Sequence, residues 1–126
     1  MDMDEDSIKL LAELALIAGG RGLIDHAEKM VAALVVLRPE SERPYLIHAL
    51  VRLGQRDADG AEYILRERAL KANPNSTLAL AYLGLALHQQ GRANERNQIL
   101  YAAINGQDGD EDALRLSQNL LATPIA

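Results

Sequence analysis

Two prolines set the ground plan of this chain. Pro39 and Pro74 stand 35 positions apart, and each closes an apolar stretch with helical spacing. Proline lacks an amide hydrogen and its ring collides with the preceding turn, so no regular helix runs through either point. Glycines divide the intervals. Gly19-Gly20-Arg21-Gly22, Gly54 and Gly91 each follow an apolar run, and glycine accepts the left-handed backbone that ends many helices. The result is a series of helical pairs of similar length. One such pair cannot bury its apolar face alone, whereas stacked pairs bury a continuous core and leave a concave surface suited to binding.

The pattern predicts seven helices and no strand. The first runs from Ser7 to Ala18, with Leu10, Leu11, Leu14, Ile17 and Ala18 recurring at spacings of three and four; Asp6 or Ser7 caps it. The second runs from Asp25 to Leu37, with Asp25 and Glu28 placed as a capping box. The third spans Pro44 to Leu53, and a long polar turn, Gln55 to Gly60, leads to a fourth from Ala61 to Ala72. Ser76–Gln90 and Ala93–Ile104 form a third pair. After the loop Asn105–Gly109, a last amphipathic helix from Asp110 to Ala122 covers the end of the stack. Residues 1–6 read as a frayed acidic N-terminus, 7–122 as one domain and 123–126 as a tail.

Leu and Ala fill about a third of the chain and Phe and Trp are absent. The core is therefore expected to be aliphatic, with Tyr45, Tyr63, Tyr82 and Tyr101 as its largest members. A net charge of −5 with scattered basic residues argues against nucleic acid or an anionic membrane, because phosphate binding needs a basic patch. Cysteine is absent, which removes disulfides and thiolate zinc sites. No apolar run reaches the ~18 residues of a membrane span, and the acidic start is the opposite of a signal peptide's. The expectation is a cytoplasmic protein.

Catalytic and metal chemistry find little support. His26, His48 and His88 are far apart in sequence, without an i, i+4 pair. Asp57-Ala58-Asp59-Gly60 echoes a calcium loop, but the first and twelfth positions would be Gln55 and Arg66, where acids are required. Asp108, Asp110 and Asp112 have Ala113 in place of the glycine and Asn119 in place of the terminal Glu. Both sets read as turns and a helix cap. No cofactor and no enzymatic activity are expected.

The segment Leu80–Arg92, LAYLGLALHQQGR, resembles the first helix and turn of a tetratricopeptide (TPR) unit, with the Leu83-Gly84 pair and the turn glycine Gly91. Upstream, Ala69-Leu70-Lys71-Ala72-Asn73-Pro74 resembles the close of the preceding unit. The match is uneven. Arg96 stands where the pattern has a small Ala, the second unit carries extra residues between Gly54 and Pro74, and the first keeps Ala27, Val31 and Pro39 without a Leu-Gly pair. The resemblance implies an all-α, right-handed superhelix of about three hairpins with a C-terminal capping helix. More narrowly, Leu10–Gly20 followed by His26-Ala27-Glu28 resembles the start of the small TPR chaperones of bacterial type III secretion, and Leu37-Arg38-Pro39 resembles related secretion-locus proteins.

That second resemblance implies a cytoplasmic chaperone of the needle subunit. It would hold an amphipathic helix of that subunit in its groove, with a small helical co-chaperone on its N-terminal part, and so prevent premature polymerisation. In TPR folds the first helix of each unit lines the groove. The corresponding residues here are Ala12, Glu13 and Leu16, then Ile47, His48 and Val51, then Leu78, Ala81, Leu85 and His88. Leu85 falls where carboxylate-clamp TPRs use Asn, and an aliphatic groove suits the apolar face of a helix rather than a carboxylate. In a shifted register the same residues would be core. A general TPR scaffold in another bacterial complex is the alternative. Without its partner, an exposed apolar groove favours self-association as a dimer.

Overall fold

The computed structural model describes residues 4–125. Among them are seven helices and no strand: α1 (Glu5–Gly20), α2 (Ile24–Leu37), α3 (Arg43–Gly54), α4 (Ala58–Ile64, continued by a π turn over Leu65–Ala69 and a last turn over Leu70–Ala72), α5 (Thr77–Gln89), α6 (Ala93–Ile104) and α7 (Glu111–Leu121). They form three antiparallel hairpins, α1/α2, α3/α4 and α5/α6, with α7 packed on both helices of the third. Residues 1–3 and 126 of the expected terminal segments lie outside the described residues. The helix starts earlier than its apolar pattern, because Asp4 accepts a hydrogen bond from the Ser7 amide at 2.8 Å and caps the first turn. Asp25 is not a cap: α2 begins at Ile24 without a side-chain cap.

One backbone turn is used three times. After α1, Gly22 (φ +78°) donates to the Gly19 carbonyl and Leu23 donates to Ala18. After α5, Gly91 (φ +75°) donates to His88 and Arg92 to Leu87. After α3 the same two bonds run from Arg56 to Leu53 and from Asp57 to Arg52, with Arg56 at φ +59°. This is the paired-bond helix stop that glycine normally fills. The turn is therefore centred on Arg56, not on Gly54, and the polar Gln55–Gly60 stretch is no insertion. The residue that follows, Asp57, fixes the turn to both helices. Its carboxylate pairs with Arg52 at 3.0 Å and accepts from the Gly60 amide at 3.0 Å, capping α4.

Counted from these turn residues, the packing repeats position by position. Seven residues before them stand Ala15, Ala49 and Gly84, all buried. Nine residues after stand Val31, Leu65 and Leu100, also buried. Ala15 and Val31 share one core cluster and Ala49 and Leu65 another. A Cβ on Gly84 would run into the Leu100 side chain. A small residue lets the second helix cross close to the first; alanine serves twice, glycine once.

The extra residue of the second hairpin is absorbed by the π turn. Val31 and Leu65 are 34 apart, whereas Leu34 and Ala69, on the far side of that turn, are 35 apart, and all four are buried. A π turn inserts one residue into a helix while the flanking residues keep their facing. The largest fully buried side chains are Leu34, Leu65, Leu83, Leu87 and Leu100. Tyr63 and Tyr101 are exposed rather than core, and Tyr45 and Tyr82 are half-buried; leucine fills a gap between closely crossing helices that a phenol would overfill.

Candidate functional site

The first helices of the three hairpins line one groove of about 440 Å³. Its wall is Lys9, Ala12, Glu13 and Leu16 of α1, Arg43, Leu46, Ile47 and Leu50 of α3, and Leu78 and Tyr82 of α5. The α1 and α3 sets are the same four repeat positions, each pair 34 apart. In α5 only the positions of Leu78 and Tyr82 open to the groove. The other two, Ala81 and Leu85, are buried and half-buried. Ala81 packs with Ala103 of α6 and Ala113 of α7, so the capping helix closes the groove there.

Of the residues anticipated from sequence, the structure brings together Ala12, Glu13, Leu16, Ile47 and Leu78. Ala12 and Ile47 also belong to the N-terminal core, and the exposed Leu16 is the most accessible aliphatic residue of the wall. The other five lie elsewhere. Val51 is buried between α1 and α2 with Ala18 and Ala27, and Leu85 packs half-buried against the central core. His48 faces α2, where its Nε2 lies 2.6 Å from Glu28, which also pairs with Arg52 at 3.0 Å. Burial lowers the His48 pKa, against the pull of Glu28. His88 Nδ1 lies 2.8 Å from a guanidinium nitrogen of Arg96.

The errors in the second hairpin have one cause. Carrying a spacing of 34 back from α5, where the turn residues Arg56 and Gly91 stand 35 apart, shifts the register by one, trading Leu46 and Leu50 for His48 and Val51. With Arg56 as the turn residue, Arg43, Leu46 and Leu50 fall out directly as the equivalents of Lys9, Ala12 and Leu16. Tyr82 was missed because Ala81 stood beside it at a plausible groove position.

Arg96 replaces the small residue found at the matching sites of the other hairpins, Ala27 and Ala61. It is 5% exposed. Its guanidinium donates to Asn97 Oδ1 at 3.0 Å and to the Thr123 carbonyl at 2.9 Å, besides meeting His88. The longer side chain thus reaches past α5 and ties down the segment after α7. The acidic turns serve as caps: Asp110 accepts from the Ala113 amide at 2.8 Å, and Asp108 accepts from the amide and hydroxyl of Thr77. No group of three His, Asp or Glu side chains that could hold a metal ion occurs among the described residues. None of the described helices is long and apolar enough to cross a membrane.

Among curated proteins, none matches this chain. A family model does. Residues 1–124 match the model described as bacterial type III secretion protein (HrpB1_HrpK), and the chain belongs to that family.

Proposed function

For this member of a type III secretion protein family, we propose a chaperone that holds an amphipathic helix of a secreted or needle subunit in the groove between α1, α3 and α5. The observation that carries the reading is the groove wall itself: seven of its ten residues are apolar, namely Ala12, Leu16, Leu46, Ile47, Leu50, Leu78 and Tyr82. Such a surface pairs with the apolar face of a helix and offers a carboxylate nothing. Covering that face on a subunit blocks its self-assembly, and mass action keeps the free subunit scarce. The family assignment supports the setting. The turns at positions 22, 56 and 91, with small residues at each crossing, support a TPR-type superhelix as the scaffold. The site of action in this reading is the cytoplasm, before export.

The test is co-expression with a short helical needle subunit of a type III secretion system. The expected result is a soluble complex of fixed stoichiometry that Leu50→Glu abolishes while circular dichroism stays unchanged. Recovery of large assemblies without such a subunit would make the protein a general scaffold.

A further inference from the structure

The outer side of α1 repeats a surface that both later hairpins use for packing. Counted from the turns at positions 22, 56 and 91, Leu10, Leu14 and Ile17 match Pro44, His48 and Val51 of α3 and Ala79, Leu83 and Ala86 of α5. In α3 and α5 these positions meet the hairpin before. Pro44 borders a cleft with Ile8 and Leu34, His48 meets Glu28, and Val51 clusters with Ala18 and Ala27. Ala79, Leu83 and Ala86 are wholly buried in one core with Leu46, Leu53, Ile64 and Leu65 of the second hairpin. On α1 the same three positions carry two leucines and an isoleucine, each about half exposed.

A second copy cannot continue the stack from its C-terminal end. There α7 already takes the place of a next hairpin against α5 and α6. The exposed residues of α7 are Glu111, Asp112, Arg115, Gln118 and Asn119 beside Leu114, a polar surface. A second copy can bring its own α1. With about 100° between successive residues, Asp6, Leu10, Leu14, Ile17 and Arg21 share a stripe about 80° wide, and all five are exposed. Neither Asp6 nor Arg21 forms an ion pair among the described residues. The stripe complements itself when reversed: acid at one end, base at the other, aliphatic between. We infer that two copies of this chain associate through the outer faces of α1, antiparallel about a two-fold axis at Leu14. Each Leu10 then packs on the other copy's Ile17, and each Asp6 faces the other copy's Arg21. Glu13, on the groove side of the stripe, approaches its own copy near the axis, and this exposed like-charge contact weakens the dimer slightly. The groove stays open, so the contact is independent of the helix-binding reading.

The experiment is sedimentation velocity of the full chain across concentration, at salt on the order of 0.05 M. One helix face is smaller than the ~800 Å² per partner of a standard interface, so the dimer is expected to dissociate on the order of 10–100 μM. Leu14→Glu sets two carboxylates together at the axis and should weaken it at least about ten-fold, with circular dichroism unchanged. Leu50→Glu, in the groove, should leave it intact. Asp6→Arg or Arg21→Asp alone should each weaken it about three-fold, and the double swap should restore it. Glu13→Gln should tighten it about two-fold. The chain has no cysteine, so single cysteines report geometry: Leu14→Cys should oxidise to a covalent dimer and Leu16→Cys, on the groove side, should not. A monomer at every concentration would overturn the inference. So would a dimer that Leu50→Glu abolishes and Leu14→Glu spares, which would put the contact in the groove. A double swap that leaves the dimer as weak as either single swap would overturn the antiparallel arrangement.

Discussion

The two ends of the helical stack are finished differently. At the C-terminal end, α7 lies across α5 and α6, and Leu83, Leu87 and Leu100 are wholly buried. Arg96 then ties the segment after α7 to the third hairpin through the Thr123 carbonyl. At the N-terminal end no helix among the described residues covers α1. Leu10, Leu14 and Ile17 lie 56%, 42% and 53% exposed on its outer side, and Val36 on α2 is 79% exposed. A stack of repeats has two ends to protect. This one spends an extra helix on one of them and leaves an aliphatic face on the other, so stability concentrates toward the C-terminus.

The sharpest way to break that contrast is to truncate matched leucines. Leu100→Ala empties a fully buried site under Gly84 and should cost about 2–5 kcal/mol, seen as a large drop in the urea midpoint. Leu14→Ala, on the open face, should stay within about 0.5 kcal/mol. Comparable losses would mean that the first helix is covered in solution. Next in size is Gly84→Ala, expected to cost about 1–3 kcal/mol because Leu100 has no free space to retreat into. The equivalent Ala49→Gly should cost less, about 1 kcal/mol, through helix propensity and a small loss of packing.

The turns provide opposite signs at equivalent sites. Gly91→Ala places a Cβ on a left-handed residue and should destabilise by about 1 kcal/mol. Arg56→Gly removes the same strain and should raise the melting temperature by a few degrees. A fall instead would show that the Arg56 side chain contributes more than its backbone costs.

The smallest expected effect is in pH. The hydroxyl and then the amide of Thr77 hold the Asp108 carboxyl below the usual aspartate range. The unfolded chain therefore takes up this proton more readily than the folded one. The stabilisation is complete above the ordinary value of about 4 and drains away as pH falls through the folded value. Between about pH 5 and 3, Asp108→Asn should show a shallower loss of thermal stability than the parent chain. An identical slope would remove Asp108 from the acid response.

The all-helical architecture, the number of helices and the hairpin order were legible in the sequence because Pro39, Pro74 and Gly91 punctuate strong helical periodicity. The helices of the third hairpin could be bounded for the same reason. The second could not, because its turn is built on Arg56, and nothing in the side chain of an arginine announces a positive φ. With that turn hidden, its 35-residue distance from Gly91 was hidden too, which displaced the groove assignment by one residue and moved Leu46 and Leu50 out of view. The repeat at the small crossing position was equally hidden, since alanine at 15 and 49 looks like any other helical alanine until Val31 and Leu65 are seen against it. The reach of Arg96 to Thr123 has no signature at all in local sequence; only an arginine in the place of a small residue hinted that something different happens there.

The central claim is that the inner face of the first helices, not the outer face of α1, takes the partner helix. Leu16 and Ile17 are adjacent on α1 and similarly exposed, at 39% and 53%, but Leu16 lines the groove and Ile17 lies outside it. The direct test is isothermal titration of a leucine-faced helical peptide into Leu16→Glu and Ile17→Glu. The account predicts at least a ten-fold loss of affinity for Leu16→Glu and little change for Ile17→Glu. The reverse order would place the partner on the outside of the stack and contradict it.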